Sequence, residues 1–422
     1  MIVYMNLDFN RDEFINRLKK HDLYFQLMNC AEKLFAIKRL CWISGGAVRD
    51  FILDRAPYDI DMTTDATDQE ILELFSNAVL TGQKFGVYKL PIKKNEETHI
   101  FDLTVFRTDS DYLDGRRPIG IIRSTPEMDA YRRDFTINAL FFDLDKMQLV
   151  DYVNGIQDLK NQVLKTVGDA EARFNEDHLR ILRCVRFQAT LGFQLDANTE
   201  AAAFKLSAKV NQISGERIRE ELFKVSQSPH KANFWQSPLA HQIMNHVGYE
   251  YDLKNSAKLL QTECNLVIDL VVLADFNPQV ASFVKDRLKC SKDEVRLAEA
   301  LIKESKLCAD NKQSLAVLAV RLEKAELRQT GLREVYLSLV GVGLYSKTDL
   351  DQALGLIKMY PDVLLTVIDL KNEKTPDFML SHISEVLREL QFTGTLGTKE
   401  QAIKILPDLI RKQQIQKSTD DC

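Results

Sequence analysis

Ile43-Ser-Gly-Gly-Ala-Val-Arg-Asp50, followed nine residues later by Asp59-Ile-Asp61, leaves the first half of this chain few ways to fold. Apolar Leu40, Trp42 and Ile43 predict a short strand, Gly45 and Gly46 permit a tight turn whose amides can approach an anion, and Val48 to Leu53 predicts the opening of a helix. On a strand of period two, Asp59 and Asp61 emerge on the same face. Taken alone, a Gly-Gly is a mere turn and an Asp-x-Asp a solvated strand face. In this order they join a phosphate cradle to two hard carboxylates, the ligand set that Mg²⁺ shares with substrate phosphates. Two such ions roughly 3.5–4 Å apart would clamp the attacking and leaving oxygens of an in-line displacement. Arg49 adds a guanidinium fork for phosphate. Neither Gly-x-x-x-x-Gly-Lys-Ser/Thr nor Gly-x-Gly-x-x-Gly after a strand occurs, so the common phosphate loops are excluded.

The pattern changes once along the 422 residues. Residues 11 to 36 predict one amphipathic helix. Strand-like runs then alternate with turns at Leu40–Ile43, Asp59–Met62, Phe85–Ile92, His99–Phe106 and Leu140–Asp143. From about residue 155 the pattern is almost entirely helical, with breaks near Pro229, Pro238, Pro278, Pro361 and Gly394 to Gly397. The expected fold class is α+β, a small mixed sheet with helices followed by helices alone. The expected domains are a head over 1–150, a helical neck over 151–225, and a helical body and tail over 226–422.

Composition narrows the class of protein. No apolar run approaches bilayer length and the N-terminus has no signal-peptide core, so a cytoplasmic location is expected. The seven cysteines are odd in number and form no C-x-x-C, which indicates neither a disulfide framework nor a zinc site. His241 and His246 are read as structural or surface residues. A net charge of −5 requires any RNA contact to be local. Candidate patches are Arg116-Arg117, Arg132-Arg133, the arginines from 180 to 219, and the tail with Lys404, Arg411, Lys412 and Lys417, where a solvated helix end is the competing reading.

The Gly45 to Asp50 turn with Asp59-Ile-Asp-Met-Thr63 resembles the first motif of the class II tRNA nucleotidyltransferase and bacterial poly(A) polymerase family, within the polymerase-β-like superfamily. Four further blocks follow in order. Arg132-Arg-Asp-Phe-Thr-Ile-Asn-Ala139 is similar to the ribose-recognition motif, and Asp151 to Leu159, with Gly155 and Asp158, to the hinge motif. Glu176-Asp-His-Leu-Arg180, with Arg183 and Arg186-Phe187, resembles the base-recognition helix, and Ser214 to Glu220 the helix-bracing motif. The resemblance is specific over residues 40 to about 225 and thin beyond. It implies a polymerase-β-like nucleotidyltransferase head that binds Mg²⁺ through Asp59 and Asp61, and contacts of Arg133, Asp134 and Asn138 with sugar and phosphate. A buried ion pair of Arg132 or Arg133 with Asp134 is the structural alternative. Asp102 stands where the family usually carries Glu, either supporting the metals or the primer hydroxyl, or pairing with Arg107 at a strand end. The polar segment Thr108 to Pro118, which predicts no regular element, resembles the loop that adenosine-adding members possess.

The recognition block has its own chemical logic. Read as one helix, Asp177 and Arg180 lie three apart on a shared face, and Glu176 reaches Arg180 through an i,i+4 contact. A carboxylate accepts from the amino group of cytosine or adenine while a guanidinium donates to the ring nitrogen; uracil and guanine present the reverse pattern. The mismatch would leave buried polar groups unpaired at about 1–3 kcal/mol each. A surface salt-bridged helix is the bland alternative. Where the family commonly has Pro after the Glu-Asp pair this chain has His178, a residue tolerated in a first helical turn.

The resemblance thus implies a template-independent enzyme that adds CCA to tRNA 3′ ends from CTP and ATP, with no membrane and no protein partner implied. A poly(A) polymerase or A-adding relative is the alternative, and a non-catalytic RNA-binding protein the reading from another class. Gln391 to Gly397 resembles a family tail element that meets tRNA, or is a helix cap.

Overall fold

A computed structural model describes residues 11–57, 59–81, 86–95, 97–109, 121–261, 264–310, 347–360 and 362–420. The fold is α+β, with the sheet confined to the first part of the chain. Its strands are β1 (Trp42–Ser44), β2 (Asp61–Thr64), β3 (Val79–Thr81), β4 (Val87–Lys94), β5 (Glu97–Val105), β8 (Leu140–Asp143) and β9 (Gln148–Asp151), in the order β3-β4-β5-β2-β1-β8-β9. The β2–β5 pair is parallel and every other pair is antiparallel. Two short antiparallel strands, β6 (Arg107–Asp109) and β7 (Ile121–Arg123), lie between β5 and β8 in the chain.

The sheet has two unlike faces. Helices α1 (Arg11–Lys20) and α3 (Gly46–Ile52) cover one of them: Phe14 stacks on Phe142 at 4.3 Å and meets the edge of Phe51 at 5.5 Å. Each fully buried ring contributes about 1.5–3 kcal/mol. The opposite face begins as a core of Trp42, Phe106, Ala130, Phe141 and Val150 and turns polar toward β2, β5 and β4. That polar stretch carries the candidate site.

The expected helix over 11–36 is two helices, α1 and α2 (Tyr24–Ala36). His21 causes the break, its Nδ1 accepting from the Leu23 amide and so competing with the helical ladder. Strand β2 begins at Asp61, leaving Asp59 in the segment before it, although Ile60 is buried between them as the alternation requires. Of the segment Thr108 to Pro118, Thr108 and Asp109 join β6, contrary to the expectation of no regular element. The rest, with Arg116-Arg117, lies outside the described residues.

Two compact units emerge, Met1–Val225 with Asn233–Gly248, and Ser226–Ala232 with Tyr249–Cys422. In the first, α4 (Asp68–Leu74) lies between β2 and β3 and α5 (Pro126–Tyr131) between β7 and β8, and after the sheet come α6 (Gly155–Lys160), α7 (Ala170–Glu176), α8 (Leu179–Leu191), α9 (Ala197–Leu206) and α10 (Gly215–Ser226). The second unit is helical throughout its described residues. Its helix Leu266–Leu273 is buried on every side, and Asp269 within it is matched by the Lys231 ammonium at 2.7 Å. Near its end, Leu365, Leu370, Ile383, Leu387, Leu396 and Leu406 form a core. The Gln391–Gly397 element joins two helices: the Gly394 and Thr395 amides donate to the Gln391 and Leu390 carbonyls where Leu380–Phe392 ends, and Thr398 and Gln401 cap each other as Lys399–Asp420 begins.

Candidate active site

Strand register sets one polar row across the sheet. Ser44 on β1 lies opposite Asp61 on β2, Asp61 beside Asp102 on β5, and Asp102 opposite Lys89 on β4. Neighbouring strands lie about 4.8 Å apart, so these side chains on one face are within electrostatic reach. Burial, then the charges of Asp59 and Asp102, push the Asp61 carboxyl up to about 6, against the pull of Arg133 and Lys89. Asp102 takes Lys89 as its ion-pair partner, Nζ lying 3.0 and 3.4 Å from its two oxygens, and not Arg107, the partner in one of the two readings of this residue. Among the described residues no three potential ligands close into a metal cage. Asp59 and Asp61 nevertheless fit a divalent cation, because they offer hard oxygens and a negative charge the protein leaves under-compensated. A shell left open is also what an ion that keeps waters and substrate phosphates requires.

Beside the row sits the glycine turn. Gly45 has φ +70 and ψ −128, a conformation that a side chain resists, and its amide donates to the Leu140 carbonyl at 3.0 Å. A Cβ there would come within 2.9 Å of Arg133 Nη1. Arg49, one turn into α3, is buried and donates to Asn138 Oδ1 at 2.5 Å, while Arg133 donates to the Asn138 carbonyl at 3.1 Å. Gly45, Gly46, Arg49, Arg133 and Asn138 are thus brought together.

The arginines of the ribose block are held by a residue that sequence reasoning missed. Asp129, fully buried, accepts from Arg132 at 2.7 Å and Arg133 at 3.0 Å. Burial works to raise its carboxyl, yet Arg133 and Arg132 hold it below the usual carboxylate range. The signal was present as spacing, since Asp129 precedes these arginines by three and four residues at a helix end. The structural alternative, a pairing of Arg132 or Arg133 with Asp134, is therefore replaced by pairing with Asp129. Asp134 binds Arg183, at 2.8 Å to Nε and 2.7 Å to Nη2, while its other oxygen accepts from the Phe135 amide. Against burial, Arg183 and Arg180 bring its carboxyl down to about 2.

The recognition block is not one helix. Chain α7 ends at Glu176, Asp177 is extended (φ −142, ψ 107), His178 is buried at the N-cap, and α8 starts at Leu179. The cause is Asp177 itself, whose side chain caps the Leu179 amide at 3.0 Å. Asp177 and Arg180 consequently take different partners. Arg180 meets Glu176 at 2.5 Å, as the spacing predicted, and also donates to the Arg132 carbonyl at 3.0 Å; Asp177 takes Arg217 from α10 at 2.7 Å. A second missed carboxylate, Glu221, lies between Arg186 at 2.5 Å and Arg183 at 3.5 Å. Neither Arg217 nor Glu221 is near this block in sequence, so no local periodicity could reveal them. Beneath the ribose block the hinge is a close contact: a Cβ on Gly155 would stand 2.2 Å from the Thr136 carbonyl oxygen, and Thr136 donates to Asp158 at 2.6 Å. Asp151 accepts from the amides of Val153, Gly155 and Ile156.

Comparison with known proteins identifies the family. Residues 41–165 match the model of the Poly A polymerase head domain, and residues 192–247 that of the "Probable RNA and SrmB- binding site of polymerase A". A CCA-adding enzyme of Lactobacillus helveticus is 33% identical over 413 residues, covering 93% of this chain and 98% of that enzyme. One from Staphylococcus aureus is 42% identical over 183 residues, 43% of this chain and 44% of that enzyme. Among solved structures, the Bacillus stearothermophilus CCA-adding enzyme in complex with CTP superposes with a TM-score of 0.75 at 21% identity, over 94% of this chain and all of that one. The Thermotoga maritima CCA-adding enzyme complexed with tRNA gives 0.66 at 19% identity, over 94% of this chain and 98% of that one, which supports the same fold. With a third of its residues identical to a relative along nearly the whole of both chains, this chain belongs to the CCA-adding enzyme family of nucleotidyltransferases, whose head domain is that of the poly(A) polymerases.

Proposed function

We propose that this enzyme completes tRNA 3′ ends by adding C, C and A from CTP and ATP, with Mg²⁺ held by Asp59 and Asp61. The observation that carries the reading is the adjacency of the Asp61–Asp102 row to the turn where Gly45, Arg133, Asn138 and Arg49 meet. When bound, the metal supplies Lewis-acid activation of the RNA 3′-hydroxyl and offsets charge on the triphosphate. The chain's own residues do the rest. With the Gly45 amide engaged by the Leu140 carbonyl, Gly45 shapes the turn, and the Gly46 amide and the Arg49 guanidinium hold the triphosphate in line. Arg133, fixed by Asp129, and Asn138 face sugar and phosphate. Asp134 serves first as the post that orients Arg183, whose Nε and Nη2 both meet its Oδ2.

Base choice is assigned to Asp177 and Arg180. Arg217 and Glu176 hold them in fixed directions, so that a carboxylate accepts from the amino group while a guanidinium donates to the ring nitrogen of C or A. The head (1–150) carries the chemistry, the neck (151–225) selects the base, and the body and tail (226–422) bind the tRNA. No described helix is long and apolar enough to cross a membrane, and we read an enzyme whose substrate is tRNA as cytoplasmic.

The test supplies purified protein and Mg²⁺ with tRNA ending at its discriminator base, and CTP, ATP or both. Sequential addition of C, C and A is expected. Extension by A alone, or long A tails, would overturn this reading in favour of an A-adding or poly(A) enzyme.

A further inference from the structure

Lys89 has no part in the chemistry described so far, yet it stands at the end of the carboxylate row. Its neighbours Tyr88 and Leu90 are buried on the other face of β4, so alternation turns Lys89 toward Asp102. The ammonium approaches both Asp102 oxygens, at 3.0 and 3.4 Å. The two side chains are 43% and 34% exposed, and a pair so exposed contributes little to folding. Its effect is therefore electrostatic. Asp59, Asp61 and Asp102 bring three negative charges, of which Lys89 offsets one before any metal arrives.

We propose that Lys89 is a positioning residue of the metal site, a resident cation that fixes the Asp102 carboxylate in the row and lowers the affinity of Asp59 and Asp61 for a divalent ion. The proposal rests on the reading of those two aspartates as metal ligands. In the metal-free enzyme Lys89 limits repulsion along the row, and when a divalent ion enters, the two positive charges oppose each other. Asp102 couples them, because its carboxylate is shared between the ammonium and the field at Asp61. The consequence is an enzyme whose demand for metal is set above what its three carboxylates alone would need.

The test is a Mn²⁺ titration of nucleotide-free protein at low salt, with free ion counted by electron paramagnetic resonance. K89M and K89Q are expected to bind about three- to tenfold more tightly than wild type, and K89R to bind as wild type does. In a D102N background, where the direct repulsion remains but the shared carboxylate is gone, K89M should gain less than it does in wild type. Thermal melts followed by circular dichroism establish that each variant is folded. Wild-type affinity in folded K89M and K89Q, or an undiminished gain in D102N, overturns the proposal while leaving the metal site standing. If D61N binds Mn²⁺ as well as wild type does, the assignment of the metal ligands fails, and the Lys89 proposal with it.

Discussion

At the scale of single residues, the site is a conflict that substrate resolves. Asp61 has a carboxyl pushed up to about 6 by burial and two neighbouring carboxylates, whereas an unfolded aspartate titrates near 3.9. Because the folded value is the higher one, the favourable contribution of protonated Asp61 is full below about 3.9 and is lost as pH rises through 6. Metal-free protein should therefore lose stability from Asp61 between about pH 4 and 6, and Mg²⁺ should restore more Tm at pH 7.5 than at pH 5. Scanning calorimetry with chelator or with Mg²⁺ at the two pH values measures both. Asp61→Asn removes the conflict and the chemistry together. In chelator at pH 7.5 the variant should melt above wild type, while nucleotide addition falls by at least about a hundredfold. A variant that melts lower would show that Asp61 is stabilised in the metal-free fold. The paired aspartates and the glycine turn, to which we assign metal and phosphate, were legible in sequence because the pattern is local: two carboxylates two residues apart, two glycines between a strand and a helix. Lys89 and Asp129 were not, since a cross-strand partner depends on register and a buried counter-ion on packing.

At the scale of elements, side chains that cap or pair across helices decide what periodicity alone does not. The predicted continuous helices at 11–36 and through 176–187 break where His21 and Asp177 bond nearby amides, and no hydrophobic pattern reports that competition. By contrast, Leu140–Asp143 forms as predicted, and Arg180 finds Glu176 despite the break. Helices α8 and α10 are tied through Glu221, which is buried between Arg186 and Arg183. Glu221→Ala leaves these guanidiniums under-neutralised, and a loss of about 3–5 kcal/mol is expected by urea unfolding. Glu221→Gln, which keeps the volume, should lose less. The hinge is a second test. Gly155→Ala places a methyl 2.2 Å from the Thr136 carbonyl oxygen, so the backbone must move at a cost of about 1–3 kcal/mol. Thr136 leads directly into Asn138, the partner of Arg49 and Arg133, and kcat should fall further than stability does. Unchanged kcat in a destabilised G155A would mean that the hinge braces the fold without positioning the site.

At the scale of the molecule, chemistry and charge are distributed unevenly. Every residue assigned to catalysis or base choice lies in the first compact unit, while the second consists of helices in its described residues. Sequence motifs stop near residue 225, and the RNA-gripping role we propose for the rest explains why: such a surface needs scattered cations and shape, not a fixed arrangement of ligands. With a net charge of −5, the enzyme has no broad basic coat, and its hold on tRNA must come from a few local contacts. A protein with 6–10 phosphate contacts loses about 10³–10⁵ in affinity between 50 and 200 mM salt; this one should lose closer to about 10²–10³. The tail helix offers a defined source for part of that dependence. Lys404, Arg411 and Lys412 are all exposed on Lys399–Asp420, and the seven-residue spacing of the first two brings them onto one face. Replacing the three with Ser should weaken tRNA binding, flatten the salt slope by about two to three, and leave CTP binding unchanged. Filter binding across a KCl series distinguishes this from a solvated helix end, for which the slope of the triple variant would equal that of wild type.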